Sequence, residues 1–88
     1  MTPVMIFLSA ISPFMRVAKC ESNVNPRAVD PPGHHFGAWQ FDDRTWHATT
    51  GLPGHASDYS IIVQLEGAVT LQRQRGWEPW TCRWAAEA

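Results

Sequence analysis

The chain has 88 residues, a formal net charge of −1 and 17% charged residues. That length supports one small domain with a modest core. The charge balance offers no basic stripe for DNA or RNA, so nucleic acid is not an expected partner.

Residues 1–12 are apolar (Val4, Met5, Ile6, Phe7, Leu8, Ile11). The run has no Lys or Arg before it and is too short to span a bilayer, so it reads as neither a signal peptide nor a membrane span. It is expected to be an apolar leader packed on the domain, or the remnant of an upstream region. Ser12-Pro13 then reads as a helix start, with serine as N-cap and proline in the first helical position. Phe14, Val17, Ala18 and Glu21 fall on one face of that helix. Asn25-Pro26 is expected to end it, because a residue before proline is pushed out of the helical region.

From Asn23 to His35 the prolines and Gly33 leave room only for a loop. Phe36 to Phe41 is a short apolar stretch, expected as an irregular strand or a buried turn. Asp42 is expected to cap a second helix reaching about Ala48, which Gly51 to Gly54 would break. The longest helical pattern runs from a Ser57 cap to Gly76, with Ile61, Ile62, Leu65, Ala68, Val69 and Gln72 as its apolar stripe. Residues 83–88 are expected to be a tail, leaving 13–82 as the folded domain.

Cys20 and Cys82 are the only two cysteines. They sit near the two ends of that domain, and a bond between them would close most of the chain into one loop. Such a cross-link is worth about 4 kcal/mol in the chain-entropy treatment, comparable to the whole net stability of a domain this small. A disulfide formed in an oxidising compartment is therefore expected, with two free thiols as the alternative. No cysteine or histidine spacing fits a metal site, so neither metal nor cofactor is expected. Five tryptophans (Trp39, Trp46, Trp77, Trp80, Trp84) are many for so short a chain. Amphipathic rings of this kind either pack a small core or line a groove for sugar rings.

Glu21 lies between Cys20 and Ser22, so a cross-link beside it would hold its carboxyl group in one orientation. Arg16-Val17-Ala18-Lys19-Cys20-Glu21-Ser22, Phe36-Gly37-Ala38-Trp39-Gln40-Phe41-Asp42, Thr45-Trp46, Ala56-Ser57 with Gln64, and Gly76-Trp77-Glu78-Pro79-Trp80-Thr81-Cys82 follow one another in order. Together they resemble the resuscitation-promoting-factor domain, a transglycosylase-like branch of the lysozyme-like superfamily, over roughly Phe14 to Cys82. Asn23 to Ala28 departs from that pattern and looks more like the Glu-Ser-x-x-Asn-Pro-x-Ala stretch of soluble lytic transglycosylases. His34-His35-Phe36 stands where paired tyrosines are common.

The resemblance implies an α+β, mostly helical, lysozyme-like domain with about three helices, a reduced β-hairpin or irregular loop region and one disulfide. It also implies a peptidoglycan-cleaving glycosidase acting on the β-1,4 bond between N-acetylmuramic acid and N-acetylglucosamine, at the cell wall or outside the cell. Protonating so poor a leaving group takes a carboxylic acid in an apolar, partly dry setting, and Glu21 is the expected acid. The relatives use one such acid, with the sugar's own C6 hydroxyl or N-acetyl group completing the reaction. Gln40, Phe36, Trp39 and Trp77 are the expected substrate contacts, peptidoglycan glycan strands the partner, and a monomer the working unit. Asp30, Asp42 and Asp43 are the possible second carboxylates, each better explained by a turn, a cap or first-turn charge. A non-catalytic peptidoglycan-binding module and a disulfide-stapled protein-interaction domain are the competing readings.

Overall fold

The computed structural model describes the backbone of residues 3–87, and side chains from residue 9 onward. Three α-helices form the frame: α1 (Pro3–Ser22), α2 (Asp43–Thr50) and α3 (Ile61–Arg75). Short 3-10 turns at Ala56–Asp58 and Arg83–Glu87 complete the regular structure. Strand pairing is reduced to isolated antiparallel bridges, Val29 with Phe36 and Phe36 with Phe41. The mostly helical architecture with one vestigial hairpin is the one expected.

The first helix begins earlier than the serine-proline pair predicts, since Pro13 lies inside α1. A proline in a helix interior removes one i→i−4 bond and crowds the preceding turn, but the chain can continue through it when its neighbours stay helical. Residues 3–12 are accordingly a helical extension of the domain, and Ala10 and Ile11 line a shallow groove with Leu65 and Val69 of α3. The expected core face of α1 is correct: Phe14, Val17 and Ala18 are buried. Its end comes before the proline. Asn23 and Val24 take positive φ of 59° and 57°, and their amides turn back to the carbonyls of Lys19 and Ala18. Such a left-handed closure satisfies the last orphan carbonyls of a helix.

Asp42 caps α2 as expected, its carboxylate accepting the Thr45 N–H at 2.7 Å, and Gly51 closes the helix with φ 70°. For α3 the cap is Ser60, not Ser57, which sits in the preceding 3-10 turn. The buried face also differs from the predicted stripe. It carries Gln64, Gly67, Ala68 and Leu71, while Ile62 is 61% exposed. The reason is steric, because α2 lies close against α3. A Cβ on Gly67 would stand 2.6 Å from the Trp46 ring, so the small residues face inward and the branched ones flank them.

Phe14, Val17, Trp39, Phe41, Trp46, Ala68, Leu71 and Trp80 form one continuous core. Two of the three buried indoles are tied by their polar edges, Trp39 Nε1 donating to the Phe14 carbonyl and Trp80 Nε1 to the Trp39 carbonyl, while Trp46 Nε1 has no hydrogen-bond partner among the described residues. Gln64 is the one buried polar side chain among the described residues. Its Oε1 accepts the Ala38 N–H, and its Nε2 donates to the carbonyls of Pro26 and Tyr59. One side chain thus joins the loop after α1, the Phe36–Phe41 turn and the approach to α3. Within the stretch expected as a tail, whose residue 88 lies outside the described residues, Ala85 and Ala86 pack on α1. Both are buried, and Arg16 donates to their carbonyls at 3.0 and 2.7 Å.

Candidate active site

The Cys20–Cys82 disulfide is present, spanning 62 positions of sequence with 6.0 Å between the Cα atoms. It pins the last turn of α1 against the closing segment, and Glu21 lies at that junction. The backbone N–H of Cys82 donates to Glu21 Oε2 at 2.9 Å. Ser22 secures the other side of the same turn, its hydroxyl donating to the Ala38 carbonyl at 2.8 Å and accepting from the Asn25 N–H. The half-buried Glu21 is thereby held between the disulfide and the Phe36–Phe41 turn.

Glu21 opens onto a cleft of about 360 Å³ lined by Asp30, His35, Gln40, Thr45, Trp80 and Thr81, among others. Trp39 and Phe41 form its apolar floor. Polar side chains make up much of the lining around that floor, so the cleft offers hydrogen-bonding groups beside apolar surface, a combination found in small-molecule sites. Gln40 reaches the cleft with φ 52°, its side-chain amide donating to the Gly37 carbonyl. Asn23, Val24 and Gln40 are the positive-φ residues other than glycine among those described, and all flank this cleft or the turn bearing Glu21. Backbone held in such sparsely populated regions recurs at binding sites because the surrounding fold over-determines it.

Of the residues predicted to meet substrate, Gln40 and Trp39 join Glu21 in the cleft, Trp39 as floor at 1% exposure. Phe36 and Trp77 do not line it. Phe36 is buried and stacks on His55 with ring centroids 3.9 Å apart. Trp77 packs on Phe14 and Trp80. Their apolar area is spent on packing, which is the ordinary use of an aromatic ring in a small domain.

The cleft also contains residues that the sequence pattern did not mark as contacts. Thr45, Trp80 and Thr81 line it, as do Asp30 and His35. Asp30 is held down at about 2, first by the His35 side chain and then by the backbone N–H groups of His35 and His34, partly offset by desolvation. These contacts favour its ionised form. Asp42 is occupied as the α2 cap, where its Oδ2 also accepts from the Thr45 hydroxyl. Asp43 pairs with His55 at 2.8 Å, away from the cleft. The adjacency of Asp30 to the paired histidines was the available signal, but only loop closure turns it into a contact.

The structure is thus a disulfide-closed helical domain with a glutamate set at the mouth of a mixed polar and aromatic cleft. The chain belongs to the transglycosylase-like domain family, whose match covers residues 10–83 and so takes in Glu21, the cleft and both cysteines. Comparison with curated proteins gives no match. No described helix is long and apolar enough to cross a membrane.

Proposed function

We propose that this domain cleaves the β-1,4 bond between N-acetylmuramic acid and N-acetylglucosamine in peptidoglycan, with Glu21 as the general acid. The observation that carries this reading is the placement of Glu21: Oε2 is engaged by the Cys82 N–H, while the side chain borders the cleft. Oε1 then carries the transferable proton. Donation to the bridging oxygen breaks its bond to the muramyl C1, the electron pair leaving with the oxygen. The cationic C1 is captured by the muramyl C6 hydroxyl, giving a 1,6-anhydro end, or by water, giving a reducing end, and the proton of the attacking hydroxyl or water passes to the Glu21 carboxylate, which restores the acid.

Glycan strands lie along the Trp39 and Phe41 floor, with Gln40, Thr45 and Thr81 offering hydrogen bonds to hydroxyl and acetamido groups. The domain works at the cell wall, outside the reducing cytoplasm, as the disulfide favours. It acts as a monomer and needs no cofactor.

Zymography on purified cell wall with the wild type and Glu21→Gln tests the reading. Clearing by the wild type and none by a folded Glu21→Gln is the expected result. Wall binding without clearing by either protein would instead make this a binding module. Neither clearing nor binding would leave a protein-interaction domain.

A further inference from the structure

Trp84 is the one tryptophan that the core does not take up. Trp39, Trp46 and Trp80 are buried and Trp77 is half-buried against Phe14 and Trp80, whereas Trp84 is 66% exposed. Its backbone is nevertheless held on both sides. Cys82, just before it, is cross-linked to α1, and the carbonyls of Ala85 and Ala86 directly after it accept from Arg16. The indole is therefore presented to solvent by a clamped turn, so little ordering is needed to bind through it.

Trp84 lines a groove of about 400 Å³ with Arg75, Trp77, Glu78, Arg83 and Glu87. The four charged side chains are exposed, and none of them is ion-paired among the described residues. Arg83 commits only Nη1, to the Trp80 carbonyl at 3.4 Å. An exposed indole beside guanidinium groups is the composition that carries binding energy at interfaces, and the guanidinium fork matches a carboxylate. The groove adjoins the active-site cleft: Trp80 lines the cleft, Trp77 lines the groove, and their ring centroids are 5.4 Å apart. A cleft of about 360 Å³ lies near the small end of ligand sites, so a polymer bound there runs on over neighbouring surface.

We propose that the Trp84 groove is a second wall-binding site, which takes a peptide-bearing sugar unit of peptidoglycan outside the cleft. The inference rests on the wall being the substrate of this domain. The apolar face of a sugar ring packs on the indole, Arg75 and Arg83 hold carboxylates of the attached peptide, and Glu78 and Glu87 match an ammonium group on it. A ring combined with both signs of charge is what a peptide-bearing glycan offers and what an uncharged glycan lacks. Binding at two adjoining places ties the domain to a polymer more tightly than the cleft alone does.

The test is sedimentation with purified sacculi and with chitin, an uncharged polymer, on a Glu21→Gln background so that binding is read without cleavage. Trp84→Ala is expected to weaken binding to sacculi at least about tenfold while the melting temperature stays that of the parent. Arg75→Gln/Arg83→Gln weakens binding to sacculi but not to chitin. Ile62→Ala, which removes a comparably exposed apolar side chain elsewhere, changes neither. With Glu21 in place, Trp84→Ala raises KM on sacculi more than it lowers kcat. Unchanged affinity of Trp84→Ala for sacculi overturns the proposal. So does a concentration-dependent dimer that Trp84→Ala abolishes without loss of wall binding, which makes the groove an interface between copies. A Glu21→Gln protein that still clears walls overturns the role of the acid and leaves this site standing. A parent that binds neither polymer overturns the wall reading and this site with it.

Discussion

Glu21 and Cys82 are joined twice, by the 2.9 Å hydrogen bond from the Cys82 N–H to Oε2 and through the disulfide that Cys82 makes with the neighbouring Cys20. The covalent link and the hydrogen bond act on adjacent residues of one helical turn. Stability and orientation of the acid are therefore coupled here.

Removing the cross-link in Cys20→Ala/Cys82→Ala is expected to cost about 4 kcal/mol. Equilibrium denaturation measures that loss. Cleavage per folded molecule, read at low temperature, should also fall by about tenfold or more, because the Cys82 N–H loses its tether and a small displacement of a catalytic group is expensive. Unchanged specific activity in the folded fraction would show that the disulfide serves stability alone.

Gln64→Leu tests the polar hub. Leucine fills similar space but leaves the Ala38 N–H and the Pro26 and Tyr59 carbonyls without their partner. Each buried group left unpaired costs about 1–3 kcal/mol, so a loss of about 3 kcal/mol or more is expected in chemical denaturation. The swap would be nearly neutral if water reached these groups.

Two effects oppose one another in Gly67→Ala. Alanine is favoured over glycine in a helix by about 1 kcal/mol. Its Cβ, however, would meet the Trp46 ring at 2.6 Å and Thr50 Cγ2 at 3.1 Å. Overpacking of this kind costs about 1–3 kcal/mol. Since the Trp46 ring is fully buried and cannot swing away, net destabilisation is expected, seen as a lowered Tm.

His55 links the cap of the 3-10 turn to α2. The Asp43 carboxylate, through a side-chain hydrogen bond and then its charge, raises the His55 pKa above its ordinary 6.5, against a smaller desolvation effect, with Asp58 adding to the rise. A raised folded-state value means the contribution is complete below about pH 6.5 and is lost as the pH climbs through the folded value. The imidazolium also lies over the Phe36 ring, a cation–π contact that deprotonation weakens. The Tm is therefore expected to decline modestly from about pH 6 to 8 in the wild type. The decline should be absent in His55→Gln.

Much of the local architecture was legible in the chain. The Asp42 cap, the Gly51 and Gly76 stops, and the Phe14, Val17 and Ala18 face of α1 all follow from short-range rules about caps, left-handed residues and helical spacing. The same rules misplaced two helix starts. Ser12 and Ser57 have the chemistry of caps, but a serine becomes a cap only when the chain before it leaves the helix, and that depends on packing elsewhere.

The sequence by itself determined the paired cysteines, the acid beside one of them and the ordered motifs that place the chain in its family. Those signals are covalent or local, so they survive without knowledge of the fold. Tertiary structure alone decided which aromatics are floor and which are packing, why Gly67 and Gln64 face inward, and that Asp30 and His35 come to share a cleft with Glu21. Each of these depends on segments distant along the chain being forced into contact by a small common core.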